Sequence, residues 1–150
     1  MKGFTFLETI ISLGIILLLI VIIFVSLSSF RKTQELNNAV EETISLINLT
    51  RSKTLFSENS SQYGIHFESS RIILFKGTAF SGSSPDNEVS LMPELIEIST
   101  INLNGGGSDL IFQRLNGKTD NYGTIVLRIK SDVTRTKTIE IKSTGIANVL

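Results

Sequence analysis

The sequence predicts an α+β chain: a long N-terminal helix, membrane-spanning in its first half, whose second half packs on an antiparallel β-sheet. Three observations carry this reading. An apolar run extends from Ile10 to Leu27 and is interrupted only by Ser12, Gly14 and Ser26. No Pro or Gly occurs between Ile15 and Tyr63, so nothing local breaks a helix there. From Gln62 the apolar period changes to two, with Gly- and Ser-rich turns between the alternating segments.

The helix is expected from about Phe4 to Leu55. Its first part meets the roughly 17–25 apolar residues that a helix needs to cross a hydrocarbon core. A backbone in lipid must satisfy its own hydrogen bonds, which makes a spanning segment helical. Glu8 is out of place there, following Phe4, Phe6 and Leu7 with no Lys or Arg beside it. A charge inside a bilayer costs about 2.5–3.5 kcal/mol on insertion scales, so Glu8 calls for a compensating partner. Beyond Leu27 the pattern turns amphipathic. Leu36, Val40, Ile44 and Ile47 form one stripe, and Arg31, Lys32, Glu35, Glu41, Glu42 and Arg51 supply the polar surface. The polar stretch Ser57-Glu58-Asn59-Ser60-Ser61 ends the helix. The division is then 4–28 for the apolar helix, 29–56 for its amphipathic continuation and 57–150 for a β-rich domain.

Tyr63–Phe67 and Arg71–Phe75 read as a hairpin turning at Glu68-Ser69-Ser70. Gly77 to Asn87 is a loop, and short strands are expected at Val89–Leu91 and Leu95–Leu103. Asn104-Gly105-Gly106-Gly107-Ser108 is the tightest turn signal. Leu110–Gln113, Thr124–Ile129, Thr138–Lys142 and Ile146–Val149 follow as strands. Ile125, Leu127 and Ile129 alternate with Val126, Arg128 and Lys130, which makes one face core and the other wet.

Gly3-Phe4-Thr5-Phe6-Leu7-Glu8 followed by an unbroken apolar helix resembles the class III leader of type IV pilins and type II secretion pseudopilins. The later motifs, Tyr63-Gly64-Ile65 with Phe67, Ile111-Phe112 leading to Asn116-Gly117, and Ile139-Glu140-Ile141 ending in Thr144-Gly145-Ile146, resemble the GspH/FimT-type minor pseudopilin domain. The resemblance covers the first thirty residues tightly and the rest loosely. It implies a β-sandwich-like globular domain behind the helix. It also implies that residues 1–3 are a leader, removed by a prepilin peptidase that cuts between Gly3 and Phe4 and N-methylates Phe4. Glu8 would then pair with the N-terminal amine of a neighbouring subunit during assembly. The implied partners are other pilin or pseudopilin subunits, the peptidase and an inner-membrane assembly platform. The implied location is the bacterial inner membrane, with the N-terminus cytoplasmic and the globular domain outside the cytoplasm, or the assembled filament.

An ordinary secretory signal cleaved near Ser26-Leu27-Ser28 fits less well, because the apolar run is long and Glu8 sits where a basic region belongs. A plain anchor leaves Glu8 unexplained. Flanking charge does not orient the helix, since Lys2 and the starting amine stand on one side and Arg31 and Lys32 on the other, a near balance. The resemblance alone sets the topology.

In 150 residues there is room for one membrane helix and one small domain. The chain has no Cys, so an exported domain must be held by its core, which within the resembled family favours a minor subunit. The only His, His66, lies in an alternating strand and reads as an exposed or hydrogen-bonded strand residue. Gly105–Gly107 lacks the Gly-Lys-Ser/Thr ending of a phosphate loop. Asn48-Leu49-Thr50 and Asn59-Ser60-Ser61 match glycosylation sequons, but in the bacterial chain that the resemblance implies such matches are mostly chance, and Asn48 lies on the expected helix. No cofactor, metal or enzymatic site is expected.

Formal charge is zero from 14 basic and 14 acidic residues, but its distribution is uneven. Glu58 to Asp109 is mainly acidic and Arg114 to Lys142 mainly basic. The alternative function is therefore a DNA-binding minor pilin of an uptake system, using Arg128, Lys130, Arg135 and Lys137 for phosphate neutralisation. Weak or no binding is expected, because Asp132 and Glu140 dilute the patch and no aromatic residues accompany it. The same charges could meet the acidic region of a neighbouring subunit.

Overall fold

The computed structural model describes residues 5–150, with residues 23–26 described through their backbone. The chain divides into two units, Met1–Gln34 and Glu35–Leu150. One helix, α1, runs from Phe6 to Leu55. Its end falls where the polar stretch predicts it; the expected start at Phe4 lies outside the described residues. Thr5 caps its first turn, its Oγ1 accepting the Glu8 N–H at 3.2 Å.

From Leu36 onward, α1 buries one face. Leu36, Ala39, Val40 and Ile47 are buried, as are Thr43, Thr50 and Thr54. Ile44 flanks this stripe, partly buried. A buried hydroxyl needs a partner, and each threonine donates to a carbonyl one turn back: Thr43 to Ala39, Thr50 to Leu46 and Thr54 to Thr50. The face is therefore wider than the aliphatic stripe alone.

Two antiparallel four-stranded sheets complete the second unit. The first contains β1 (Tyr63–Phe67), β2 (Arg71–Lys76), β3 (Glu88–Leu91) and β5 (Asp109–Ile111), in the order β3-β2-β1-β5. The second contains β4 (Ile96–Leu103), β6 (Gly123–Ile129), β7 (Asp132–Ile141) and β8 (Ala147–Val149), in the order β4-β6-β7-β8. One core joins the α1 stripe to Ile65, Phe67, Ile72 and Leu110 of the first sheet and to Ile96, Ile98, Ile125, Leu127 and Ile139 of the second. The expected combination of long helix and antiparallel sheets is the observed one.

Local irregularities follow from the residues. In β4 the apolar residues Ile96, Ile98, Ile101 and Leu103 break strict alternation, and the register to β6 shifts between Ile98 and Thr100. The extra residue, Ser99, restores the inward parity and donates to the Val126 carbonyl at 3.1 Å. In the first sheet Phe75 lies across from Gly64, where an added Cβ would come within 2.5 Å of the ring. Gly64 is thus the space that Phe75 occupies.

Two strands differ from expectation by more than one residue at an end. β7 begins at Asp132, six residues before the expected Thr138. Its first half carries Val133, Thr134, Arg135, Thr136 and Lys137, all exposed, so no apolar alternation marks it. Pairing with β6 extends it instead, through Arg128↔Thr136 and, after a register shift, Ile129↔Asp132. β5 is shorter than Leu110–Gln113, ending at Ile111, although Phe112 is fully buried.

Candidate functional site

The first half of α1 is the most unusual surface of the chain. Its most apolar window has a mean hydropathy of 3.3 and none of it is buried. Ile10, Ile11, Leu13 and every residue from Ile15 to Ile22 expose between 42% and 62% of their surface. A helix apolar all round has no polar face to offer water, and its side chains are fit for lipid or other helices. Gly14 has nothing within 4 Å of where a Cβ would stand, so it leaves a notch in this surface.

Glu8 lies in the first turn of α1. There the helix dipole favours a negative charge, and the Thr5-x-x-Glu8 spacing is that of a capping box. Among the described residues no cation pairs with its carboxylate. Ser12 Oγ donates to the Glu8 carbonyl at 2.8 Å and Thr9 Oγ1 to the Thr5 carbonyl at 3.2 Å, so the polar side chains near it serve the backbone. Gly3 and Phe4 lie outside the described residues.

At the other end of α1, Thr54 Oγ1 accepts the Tyr63 N–H at 3.1 Å and ties the helix to β1. Arg51 Nε donates to the Gly117 carbonyl at 3.1 Å. Gly145 packs on the same carbonyl with φ of +79°, and an added Cβ would overlap it. Lys53 Nζ lies 2.8 Å from Glu88 Oε1, and this hydrogen bond raises the lysine pKa above its ordinary value.

The four basic residues proposed for DNA do not share one face. Directly opposed residues of an antiparallel pair point the same way. Lys137 stands opposite Leu127, on the core side, whereas Arg128 stands opposite Thr136, on the other. Arg128 Nε bonds Glu97 Oε1 at 2.7 Å, and Lys130 Nζ donates to the Glu94 carbonyl at 2.8 Å. Arg135 pairs with Asp132 at 3.2 Å, and Lys137 is exposed. The mainly acidic and mainly basic segments are thereby partly matched within the chain, a pairing that composition alone does not reveal.

His66 is a hydrogen-bonded strand residue. Its Nδ1 lies 2.6 Å from Asp109 Oδ1 on the neighbouring strand, and Phe80 stacks on the ring at 4.0 Å. Glu68 stands 3.8 Å from Nε2. The two hydrogen bonds from Arg71, at 2.7 and 3.0 Å, hold the Glu68 carboxyl below its usual range. Among the described residues no cluster of three or more His, Cys, Asp and Glu is arranged to hold a metal ion.

No protein family and no curated protein matches the sequence. Solved structures do match. The type IV minor pilin FimU of Pseudomonas aeruginosa PAO1 superposes with a TM-score of 0.59 at 15% identity, over 81% of this chain and 92% of that one. The minor pseudopilin EpsH of the Vibrio cholerae type II secretion system superposes with a TM-score of 0.58 at 12% identity, over 79% of this chain and 94% of that one. The fold is that of these minor pilins and pseudopilins.

Proposed function

We propose that the chain is a minor pilin or pseudopilin subunit that acts by assembly into a type IV pilus or a type II secretion filament. One conjunction supports this: a fold shared with FimU and EpsH, joined to a helix whose first half is apolar and unburied on every side. In this reading the helix anchors the subunit in the inner membrane, N-terminus in the cytoplasm, until an assembly platform draws it into a filament. There the same apolar surface packs against the helices of other subunits. Prepilin peptidase cuts between Gly3 and Phe4 and methylates the new amine of Phe4. Glu8 then meets the corresponding amine of a neighbour, which supplies the countercharge that a carboxylate in an apolar setting requires. The role is architectural, and no catalytic step is assigned to any residue.

Mass spectrometry of the protein purified from its own cells tests this. The expected chain begins at N-methylated Phe4, and Gly3→Leu leaves the precursor uncut. A mature chain beginning at Ser29 would instead establish ordinary secretory cleavage and overturn the assignment.

A further inference from the structure

The face of the first sheet turned away from α1 carries apolar residues of its own. Ile65, Phe67, Ile72 and Leu110 belong to the core shared with the helix. Alternation therefore turns Gly64 and His66 of β1, Ile73 and Phe75 of β2 and Asp109 of β5 to the opposite face. Ile73 and Phe75 are only 4% and 1% exposed there. The loop of residues 77–87, between β2 and β3, has one large apolar residue, Phe80. Its ring reaches back onto this face. It stacks on His66 with the planes 5° apart and meets Phe75 edge-on at 5.7 Å.

His66 is where this face, the loop and two carboxylates meet. A carboxylate only accepts, so the 2.6 Å contact from Nδ1 to Asp109 Oδ1 is an N–H donated to β5. Nε2 stands 3.8 Å from Glu68 in the β1–β2 turn. Arg71 of β2 lies on the same face and binds Glu68 twice, which holds that carboxyl below its usual range and so keeps it charged wherever histidine titrates. From the loop the group on the ring is the uncharged Phe80, and the loop's one charged residue is Asp86. Two carboxylates against one guanidinium leave one negative charge in excess around the imidazole. The side chain is 21% exposed, so protons reach it from solvent.

We propose that residues 77–87 form a proton-operated strap, latched through Phe80 when His66 is protonated and loosened when it is neutral. Protonation strengthens every contact of the ring. The bond to Asp109 becomes charge-assisted in both partners, Nε2 gains a proton to offer Glu68, and the Phe80 face attracts the imidazolium as a cation. The stack is the contact that ties His66 to the loop. Its hold is greatest at the acid end of the histidine range and fades as pH rises through it, because the charge on the ring is then lost. Release meets little obstruction. Gly77, where the loop begins, has φ of +119° and nothing within 4 Å of where a Cβ would stand. The bond from Asn87 Nδ2 to the Ser81 carbonyl, at 2.8 Å, is internal to the loop and moves with it. In the assembly reading the domain lies outside the cytoplasm, where the pH is that of the surroundings, and the strap registers it on this face. The inference goes beyond that reading and does not depend on it.

Hydrogen exchange of the full chain in detergent micelles, read by mass spectrometry at about pH 5 and about pH 8, tests this. Protection factors are compared, since dividing by the intrinsic rate at each pH removes the direct effect of acid on exchange. Ser84 and Asn87 donate their N–H groups within the loop, to the carbonyls of Ser81 and Ser84. Their protection should be about three- to tenfold higher at the lower pH, while that of β6 stays constant. His66→Gln cannot take up the proton and should abolish the difference. Phe80→Leu keeps an apolar side chain without the ring face and should abolish it as well. Protection of β6 establishes that each variant is folded, and if one unfolds the other decides. Equal loop protection at both pH values overturns the proposal, as does a change shared equally by β6 or a difference that persists in either folded variant. The measurement needs no filament. Its failure leaves the assembly role standing, and a chain absent from filaments leaves the strap standing.

Discussion

The two halves of α1 share one secondary structure and differ in almost everything else. From Ile10 to Ile22 apolar side chains surround the helix and none is buried. From Leu36 to Thr54 the apolar and threonine positions form a stripe, and that stripe is closed off by the two sheets. Apolar content is higher in the half that stays open. Pattern, not hydrophobicity, decides which half a small domain can use, because a domain can cover only one face of a helix. The first half must find its apolar surroundings outside the chain.

The comparison can be broken most directly at Ile47. Ile47→Ala removes a fully buried side chain and should cost the second unit about 2–5 kcal/mol by chemical denaturation, whereas Leu18→Ala should stay within about 0.5 kcal/mol. Equal losses would mean that the open half is part of the domain's core after all. Next in size is Glu8→Ala. Membrane insertion should become easier by about 2.5–3.5 kcal/mol, while incorporation into filaments falls. Quantitative immunoblotting of membrane and sheared-filament fractions measures both, and undiminished incorporation would show the carboxylate dispensable.

Thr54→Val sharpens the boundary between a buried polar group and an apolar one. It keeps the shape but strands the Tyr63 N–H, and should cost about 1–3 kcal/mol, far more than a conservative change on an exposed face. The smallest effect belongs to Glu88→Gln. The Glu88 side chain is 62% exposed, so loss of the Lys53–Glu88 pair should cost less than about 1 kcal/mol and shrink further with salt. Its pH dependence has a definite sign. Folding raises the Lys53 pKa above 10.5, so the contribution is complete below that value and disappears as pH rises through the raised one. A pair insensitive to alkaline pH would contradict this.

Much of the architecture was legible in local pattern. The end of α1 at Leu55, the β1–β2 hairpin, the Asn104–Ser108 turn and the inward set Ile125, Leu127 and Ile129 all follow from breakers, turn residues and alternation. Thr43, Thr50 and Thr54 were missed as core because a hydroxyl reads as polar. Only the carbonyl one turn back makes it buriable. The Thr5-x-x-Glu8 spacing was present in the sequence and carried a capping signal that the apolar surroundings overshadowed.

The sequence by itself determined where the chain is helical, where it alternates and that its apolar first half has no polar face. These are properties of neighbours along the chain, encoded by periods of 3.6 and 2. Tertiary structure alone decided that β1 pairs with β5 across forty residues and that β4 leaves for the other sheet. It also turned β3 with Glu88 and Ser90 toward the helix, extended β7 to Asp132 and set Arg128 against Glu97. Alternation says that a strand has two faces, but not which strand lies beside it. That choice depends on register and on which side chains fill a shared core, and both are settled only when distant segments meet.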